Sequence, residues 1–203
     1  MKRKLITFLS ISLISLILYM ALSEPENSVP ESIKDEVAAA LDYFPELENI
    51  PIEFKFKKKI KKSVMMAQPS FGSLFRSRKN RGYVVLISKS FKITGKKFKT
   101  VNVPKDVLIG WIGHELGHVM DYQQKGNLEL IGFGVRYILL KEHVRKAERT
   151  ADLEAVRHGM AEYIIKTKKF ILDNAEIDES YKERIRTYYL SPEEIRDIVE
   201  EKD

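Results

Sequence analysis

The sequence predicts an α+β domain in which a small, mostly antiparallel sheet is followed by a helical half. Three observations support this fold class: apolar and charged residues alternate over residues 50–56, residues 83–88 form an almost continuous apolar run, and apolar residues take helical spacing from Pro104 onward. The chain has 203 residues, of which 44% are hydrophobic, which is enough for one core. We therefore predict a single domain over residues 31–203.

The first 23 residues are typical of a targeting segment rather than of the fold. Residues 2–4 are Lys-Arg-Lys, residues 5–22 form an uncharged apolar run, and that run ends close to an Ala-Leu-Ser sequence that suits signal-peptide cleavage. The run has about the minimum length that spans a bilayer, so a cleaved signal peptide and an uncleaved membrane anchor are both open. Either predicts an extracytoplasmic protein, secreted or periplasmic in the first case and membrane-anchored in the second. Residues 24–30 are typical of a linker.

The first half of the domain is predicted to hold one helix and three strands joined by irregular segments. Apolar residues recur at helical spacing after residue 31, and Pro45 ends that helix. The predicted elements are a helix over 31–43, strands over 50–56, 57–70 and 83–88, a basic loop over 70–82, and a hairpin or loop over 92–99.

The second half is predicted to be helical. Pro104 suits a first helical turn and Gly126 can end the same helix. Residues 191–194, Ser-Pro-Glu-Glu, form a capping box that begins the last helix. Residues 130–140 are too short to span a bilayer and include Arg136, so we predict a core helix there. The predicted helices cover residues 104–124, 127–140 and 142–172, with a final one from 191.

Charge is distributed unevenly along the chain. Residues 24–53 carry nine acids and one Lys, whereas residues 54–105 carry sixteen Lys or Arg and no acid. This basic segment suits an anionic membrane surface, acidic substrates, or simply a solvated lysine-rich face. Nucleic-acid binding is not expected of an exported chain. The chain has no Cys, which excludes disulfides and thiolate metal sites.

The segment "GWIGHELGHVMDY", residues 110–122, has helical apolar spacing yet contains three glycines, each of which costs about 1 kcal/mol relative to Ala inside a helix. On a helix, His114 and His118 lie one turn apart on one face and can bind one metal ion. Glu115 lies about 100° around the axis, where it can border the open side of that ion and accept a proton from water. We therefore predict His114 and His118 as metal ligands and Glu115 as the catalytic base.

A catalytic zinc site needs a third protein ligand. Glu148 and Asp152 lie four residues apart on a later helix face, where two carboxylates repel unless a cation or a shared proton lies between them. We predict Glu148 as the third ligand and Asp152 as the residue that orients a ligand imidazole. Spacing alone leaves Glu142, His143 and Glu154 open as other third ligands. It also leaves open a solvated acidic face that pairs with Arg145 and Arg149.

Small residues are placed where these two helices would meet. Gly110 and Gly117 lie on or beside the histidine face, and the face that carries Glu148 continues through Ala155 to Gly159. Residues without large side chains let two helices approach closely. We therefore predict close packing between the histidine helix and the glutamate helix.

The motifs "HELGH" at 114–118 and "ERTAD" at 148–152 make the chain similar to the gluzincin metallopeptidases, the thermolysin-like clan, with small minigluzincins nearest in size. The resemblance covers roughly residues 80–165. It implies a zincin-like fold with an active-site helix, a glutamate helix and an edge strand over a cleft, the last at residues 83–88. It also implies Zn²⁺ as cofactor, with these residue roles: His114, His118 and Glu148 as ligands, Glu115 as general base, and Asp152 orienting a histidine.

The predicted function is therefore that of an exported or membrane-anchored zinc metalloendopeptidase, which hydrolyses peptide or protein substrates through a metal-activated water. A second class is open: a non-catalytic, zinc-stabilised, membrane-associated binding or regulatory protein. An enzyme kept latent by its N-terminal segment lies between the two. Larger gluzincins also use a downstream side chain to stabilise the oxyanion, and the candidates here are His143, Arg186, Tyr188 and Tyr189.

Overall fold

The computed structural model describes residues 28–58, 60, 63–70, 72–93, 96–174 and 177–201. It has the predicted α+β composition, with all the strands of this described part before the long central helix and most of the helices after it. The segment predicted to be a signal peptide or membrane anchor, residues 1–23, lies outside the described residues.

The strands and helices follow the order that the sequence predicts, with one extra helix and one split helix. The strands are β1 (Ile52–Lys57), β2 (Met65–Pro69), β3 (Tyr83–Ser88), β4 (Ser90–Ile93) and β5 (Lys96–Lys99). The α-helices are α1 (Lys34–Leu41), α2 (Lys105–Gln123), α3 (Asn127–Leu139), α4 (Lys141–Arg157), α5 (Ala161–Asp173), α6 (Glu179–Tyr188) and α7 (Pro192–Glu200). The predicted capping box at the start of α7 is confirmed, since Ser191 and Glu194 cap each other.

Three strands form the main sheet in the order β1-β3-β2. Strand β3 runs parallel to β1 and antiparallel to β2, while β4 and β5 form a separate antiparallel hairpin. The prediction that residues 83–88 form the edge strand is wrong, because all six residues of β3 are buried and the strand lies in the centre. A strand that is apolar on both faces is stable where neighbours cover it on every side. The edge strand that contacts α2 is β2.

The predicted linker is partly attached to the sheet. Ser28 forms a parallel bridge with Glu53, and its carbonyl oxygen accepts a hydrogen bond of 2.7 Å from the Phe54 amide. The carbonyl of Pro30 accepts a further bond of 3.1 Å from the Ile33 amide. The folded part therefore extends back to Ser28 rather than beginning at residue 31.

Helix α2 runs through the middle of the domain. Its residues are buried without interruption from Val107 to Val119, and it contacts α1, α4, α5 and β2. A helix that is apolar on every face must be enclosed by other elements. Burial on all sides explains why this helix tolerates so few large polar side chains apart from its two histidines and Glu115.

Two glycines let neighbouring helices touch the backbone of α2. A Cβ atom on Gly117 would lie 2.3 Å from the Ala151 carbonyl oxygen of α4. A Cβ atom on Gly110 would lie 2.5 Å from the Tyr163 carbonyl oxygen of α5. The predicted close packing is confirmed, and Ala151 is the residue of α4 that lies against Gly117.

We expect Gly117→Ala to destabilise the protein and Gly134→Ala, its matched control in α3, to stabilise it. The added methyl group at Gly117 has no room, which costs roughly 1–3 kcal/mol. At Gly134 nothing lies within 4 Å of the new atom, so the gain in helix propensity, about 0.5–1 kcal/mol, should dominate. Urea unfolding followed by circular dichroism measures both. Equal effects at the two positions would contradict the close-packing account.

The helix predicted over residues 142–172 is instead two helices, α4 and α5. Gly159 adopts a left-handed φ of 85°. The Gly159 amide donates to the Val156 carbonyl, and the Met160 amide donates to the Ala155 carbonyl, both at 3.0 Å. This pair of bonds is the Schellman arrangement that ends helices at glycine. The chain therefore turns after α4, and α5 returns to pack against α2.

Arg81 is fully buried at the C-terminal end of α2. Its Nη1 donates to the Tyr122 carbonyl at 2.9 Å, and its Nη2 donates to the Lys125 carbonyl at 3.0 Å and to the Asn127 side chain. These carbonyl groups form the negative end of the helix dipole, which stabilises a buried cation. One member of the basic segment is thus a core residue that joins the loop before β3 to the start of α3.

Arg81→Ala should lower the free energy of unfolding by roughly 3 kcal/mol, because several charge-assisted hydrogen bonds are lost and a large, fully buried side chain leaves a cavity. Arg78→Ala is the control, since Arg78 is exposed in the same loop and should change stability by less than about 0.5 kcal/mol. Thermal unfolding of both variants tests this. A similar small effect for both would show that the helix end does not need the guanidinium group.

Helix α3 is not the core helix that the sequence predicts. Its buried apolar residues are Leu130 and Phe133, whereas Leu128 is 86% exposed and Ile138 is 82% exposed. The apolar residues are divided between two opposite faces, and one of these faces points away from the domain. Within the described ranges, no helix combines the length and the apolar character needed to cross a membrane.

Candidate metal centre

Three buried side chains converge where α2 packs against α4. His114 and His118 extend from one face of α2, one turn apart, and Glu148 faces them from α4. Oε2 of Glu148 lies 3.1 Å from Nε2 of His114 and 3.3 Å from Nε2 of His118. One ligand atom from each residue lies within 4.8 Å of the others. The three residues are close enough to bind one metal ion.

The separations of Glu148 from the two imidazoles suit ligands of one metal ion. Ligand atoms at 2.0–2.2 Å from a tetrahedrally coordinated ion lie about 3.3–3.5 Å apart, which is close to the two distances between Glu148 and the imidazoles. Nδ1 of His114 faces Asp152 at 2.8 Å, so both ring nitrogens of His114 face carboxylates. A neutral imidazole can donate to only one of them. The second nitrogen therefore needs either an additional proton or a cation.

Asp152 lies within hydrogen-bond distance of His114 Nδ1 and is itself held from two further sides. Its Oδ2 accepts hydrogen bonds of 2.7 Å from Lys168 Nζ and 3.0 Å from the Leu190 amide. Burial raises the pKa of Asp152, but the charges of Lys168 and His114 lower it by a larger amount, so the net shift of the pKa is downward. Burial lowers the pKa of Lys168 despite the opposing effect of Asp152. The carboxylate therefore stays ionised in a fully buried position.

The second carboxylate oxygen of Glu148 is also held. Tyr137 of α3 donates to Oε1, and an Nη atom of Arg184 in α6 lies 3.4 Å from the same oxygen. Burial raises the pKa of Glu148, but its hydrogen bonds to the two histidines outweigh this effect and hold it well below the usual range. The sequence analysis missed Tyr137, Arg184 and the nearby Lys168, because no local spacing connects them to the histidine motif.

Glu115 stands apart from the three converging groups. Its Oε2 accepts a 2.6 Å hydrogen bond from the Ala67 amide on the edge strand β2. Burial raises the pKa of Glu115, and the neighbouring histidines only partly offset that shift. Glu115 is therefore a buried carboxylate with a raised pKa that lies beside the three candidate ligands and is not one of them.

A small cavity borders the site, and a wider groove lies next to that cavity. A cavity of about 30 Å³ touches His114, Glu115 and Tyr189, and that volume is large enough for a water molecule. A wider groove of about 1090 Å³ lies between the sheet and α6. The two share Ser63, Val64 and Tyr181 in their linings. The groove therefore lies beside the cavity that touches the candidate ligand His114.

The other candidate ligands do not join the site. Glu142 is exposed, His143 packs its ring 4.8 Å from that of Phe133, and Glu154 pairs with Arg157. Geometry therefore favours Glu148 over the alternatives that spacing alone left open.

The candidates for an oxyanion-stabilising group also separate by position. Arg186 is paired with Glu179 on the surface of α6, and Tyr188 lines the wider groove. Tyr189 is partly buried, and its ring centre lies 5.3 Å from that of His114. Burial and the negative charge of Glu148 raise the pKa of Tyr189 well above its usual value. Of the four predicted candidates, Tyr189 is the one at the metal centre.

Comparisons of the chain with known protein families, characterised proteins and solved structures find no match. The resemblance to gluzincins therefore rests on the two motifs and on the geometry of the residues within them.

Metal binding should release a proton from His114. Burial alone lowers the pKa of His114, but Asp152 and Glu148 together raise it to about 10. At pH 7 the metal-free imidazole is therefore charged, whereas a metal ligand must be neutral. We expect release of about one proton per ion and a zinc affinity that rises with pH up to about 10. Calorimetry in buffers of different ionisation enthalpy measures this release.

Asp152→Asn should reduce the proton release, because it removes a negative charge that raises the pKa of His114. Asp173→Asn, an exposed position on α5, is the matched control and should leave the release unchanged. A zinc affinity that does not vary across neutral pH would contradict this account of the site.

Proposed function

We propose that the protein is a zinc-dependent metallopeptidase, exported or membrane-anchored, that hydrolyses peptide bonds in peptides or proteins. One observation carries the proposal: a buried pair of imidazoles and a carboxylate converge on one point, and a separate buried carboxylate, Glu115, stands beside them without taking part. A purely structural metal site has no use for the fourth group. This combination is what metal-assisted hydrolysis requires.

Zinc is the ion that best suits the ligand set. Two histidines and one glutamate are a typical catalytic zinc set, which keeps one coordination position for water or substrate. The lack of thiolates argues against the softer copper and iron–sulfur sites. When bound, zinc supplies Lewis acidity that activates a water and polarises a carbonyl group. Asp152, held by Lys168 and the Leu190 amide, keeps the proton of His114 on Nδ1 and so leaves Nε2 free to act as a ligand.

Glu115 is proposed as the general base. It takes the proton of the attacking water and transfers it to the leaving amine. Its raised pKa brings its proton affinity closer to that needed near neutral pH. The bond from the Ala67 amide fixes one carboxylate oxygen, which leaves the other to exchange the proton. Tyr189 and Tyr181 border the same cavity, where a phenol can donate to a carbonyl oxygen.

An extended substrate is proposed to bind along β2 and the wider groove. Met66 and Gln68 lie opposite Leu86 and Val84 of β3, and alternate residues of an antiparallel strand direct their backbone groups to opposite sides. Ala67 therefore presents its backbone away from β3, toward Glu115. Strand addition at a free edge is a common way to bind extended peptides. This position replaces the one at residues 83–88 that the resemblance implied.

One observation, the burial of the site, supports the non-catalytic alternative. His114 is 8% exposed and Glu115 is 5% exposed, so little of the site is open to a large substrate. A zinc-stabilised binding or regulatory protein, or a latent enzyme, would have this property. The two functions differ in whether Glu115 is needed for anything once the metal is bound.

Glu115→Gln should lower zinc-dependent peptide hydrolysis by about 10²–10⁴-fold, because the amide cannot accept the proton. Zinc stoichiometry should stay the same, since Glu115 is not one of the converging ligands, and the amide oxygen can still accept the Ala67 hydrogen bond. A peptide-library cleavage assay, paired with metal analysis of the purified chain, measures both quantities.

Glu142→Gln, at an exposed site in the first turn of α4, is the control and should change neither cleavage nor zinc content. Undiminished hydrolysis by the Glu115 variant would refute the role of the base. A wild-type chain that binds zinc tightly but shows no cleavage of any peptide would support the non-catalytic alternative.

A further inference from the structure

Helix α3 carries a row of large apolar side chains that are largely exposed to solvent in the described part of the domain. They recur at helical spacing and lie within an arc of about 100°. The residues are Leu128, Ile131, Val135, Ile138 and Leu139, each between 48% and 86% exposed. Leu140, directly after the helix, is 52% exposed. We call this surface the α3 apolar row.

The α3 apolar row is not part of the core-facing side of the helix. The opposite side of α3 packs on the domain through Leu130 and Phe133, and it carries Tyr137, which donates to Glu148. A further exposed aromatic lies beside the start of the helix: Phe75 is 60% exposed, and the Asn127 side chain donates to the carbonyls on either side of it. Isolated exposed apolar residues are ordinary, but a contiguous row of this kind marks an interaction surface.

Positive charge surrounds the α3 apolar row. Residues 125–146 contain five bases and two acids. Four of the bases are exposed at or just beyond the helix: Arg136, Lys141, Arg145 and Lys146. An apolar face bordered by Lys and Arg is typical of helices that lie in the surface of a bilayer with anionic lipids. In a symmetric dimer through the same face with the two α3 helices parallel, these bases would be brought together and repel each other.

The position of Ser28, the first residue that the structure describes, agrees with a membrane partner. Ser28 and Ile50 line one surface cavity, and Ile50 and Gln124 line the next. Gln124 immediately precedes the turn into α3. The chain before Ser28, with its uncharged apolar run over residues 5–22, therefore joins the domain on the side where α3 begins.

We propose that α3 is an interfacial membrane helix, whose apolar row inserts into the headgroup region of a bilayer that contains anionic lipids. The surface of the protein that contacts the membrane is then α3 with the bases around it, and not the basic segment 54–105. The proposal does not depend on catalysis, because it rests only on the exposed side of α3 and its charges.

The test uses the full chain, which has no Cys, so that one introduced Cys carries one probe. An environment-sensitive fluorophore is attached to Leu128→Cys or Ile138→Cys, both of which replace exposed residues. Asp197→Cys, exposed on α7, is the control for a position away from the surface. Val101→Cys, 39% exposed at the end of the basic segment, tests that segment instead. Vesicles contain phosphatidylcholine with or without phosphatidylglycerol, and a lipid-attached quencher.

We expect quenching at the Leu128 and Ile138 positions in anionic vesicles and no quenching at the Asp197 position. The difference in quenching between the probe positions reports local insertion of α3. An anchor at residues 5–22 that holds the chain on any vesicle would not produce this difference. Replacing Arg136 and Lys141 by Gln should weaken insertion into anionic vesicles about fivefold for each charge removed, and leave neutral vesicles unaffected.

Three results would overturn the proposal. Quenching at the Val101 position alone would assign membrane contact to the basic segment. A spectral shift at the α3 positions that depends on protein concentration and needs no lipid would assign the row to a second copy of the chain. Probes that are shielded from a soluble quencher before any lipid is added would show that another part of the chain already covers α3.

Discussion

The close approach of α2 and α4 is the constraint on which the rest of the structure depends. Gly117 lets the backbone of α4 at Ala151 lie directly against α2. The same approach brings the Glu148 carboxylate to within 3.1 Å and 3.3 Å of the two imidazoles and places Asp152 against His114. A larger residue at the contact would separate the helices and move both carboxylates away. Helix packing and metal-site geometry are therefore set by one contact.

The helical part of the site could be predicted because its geometry is local. His114 and His118 share a face by spacing alone, as do Glu148 and Asp152, and two glycines indicated where the helices would meet. The sequence also contains the residue that divides the helix predicted over residues 142–172. Gly159 follows the final residues of α4, as a left-handed helix end requires. Because the position of this glycine also suits close helix packing, the pattern predicts one helix where two exist.

Other features depend on contacts between elements that are distant in sequence. Alternation and apolar content identify a strand, but whether β3 is central or at the edge is decided by which strands pair with it. Tyr137, Lys168 and Arg184 reach the site from three different helices, and none belongs to a recognisable spacing with the histidines. Helix α3 has the composition of a core helix, and only its packing reveals that more than half of its large apolar residues face outward.

Glu148 is held from several helices at once: the imidazoles of α2 approach one of its oxygens, and Tyr137 of α3 and Arg184 of α6 approach the other. Thermodynamic reciprocity applies to such a shared group. Any molecule that shifts α3 and thereby alters Glu148 must change the dissociation constant of the metal by a given factor, and the metal must change the affinity of that molecule by the same factor. The metal ion can thus act as an effector for whatever α3 binds, quite apart from any reaction at its coordination sphere.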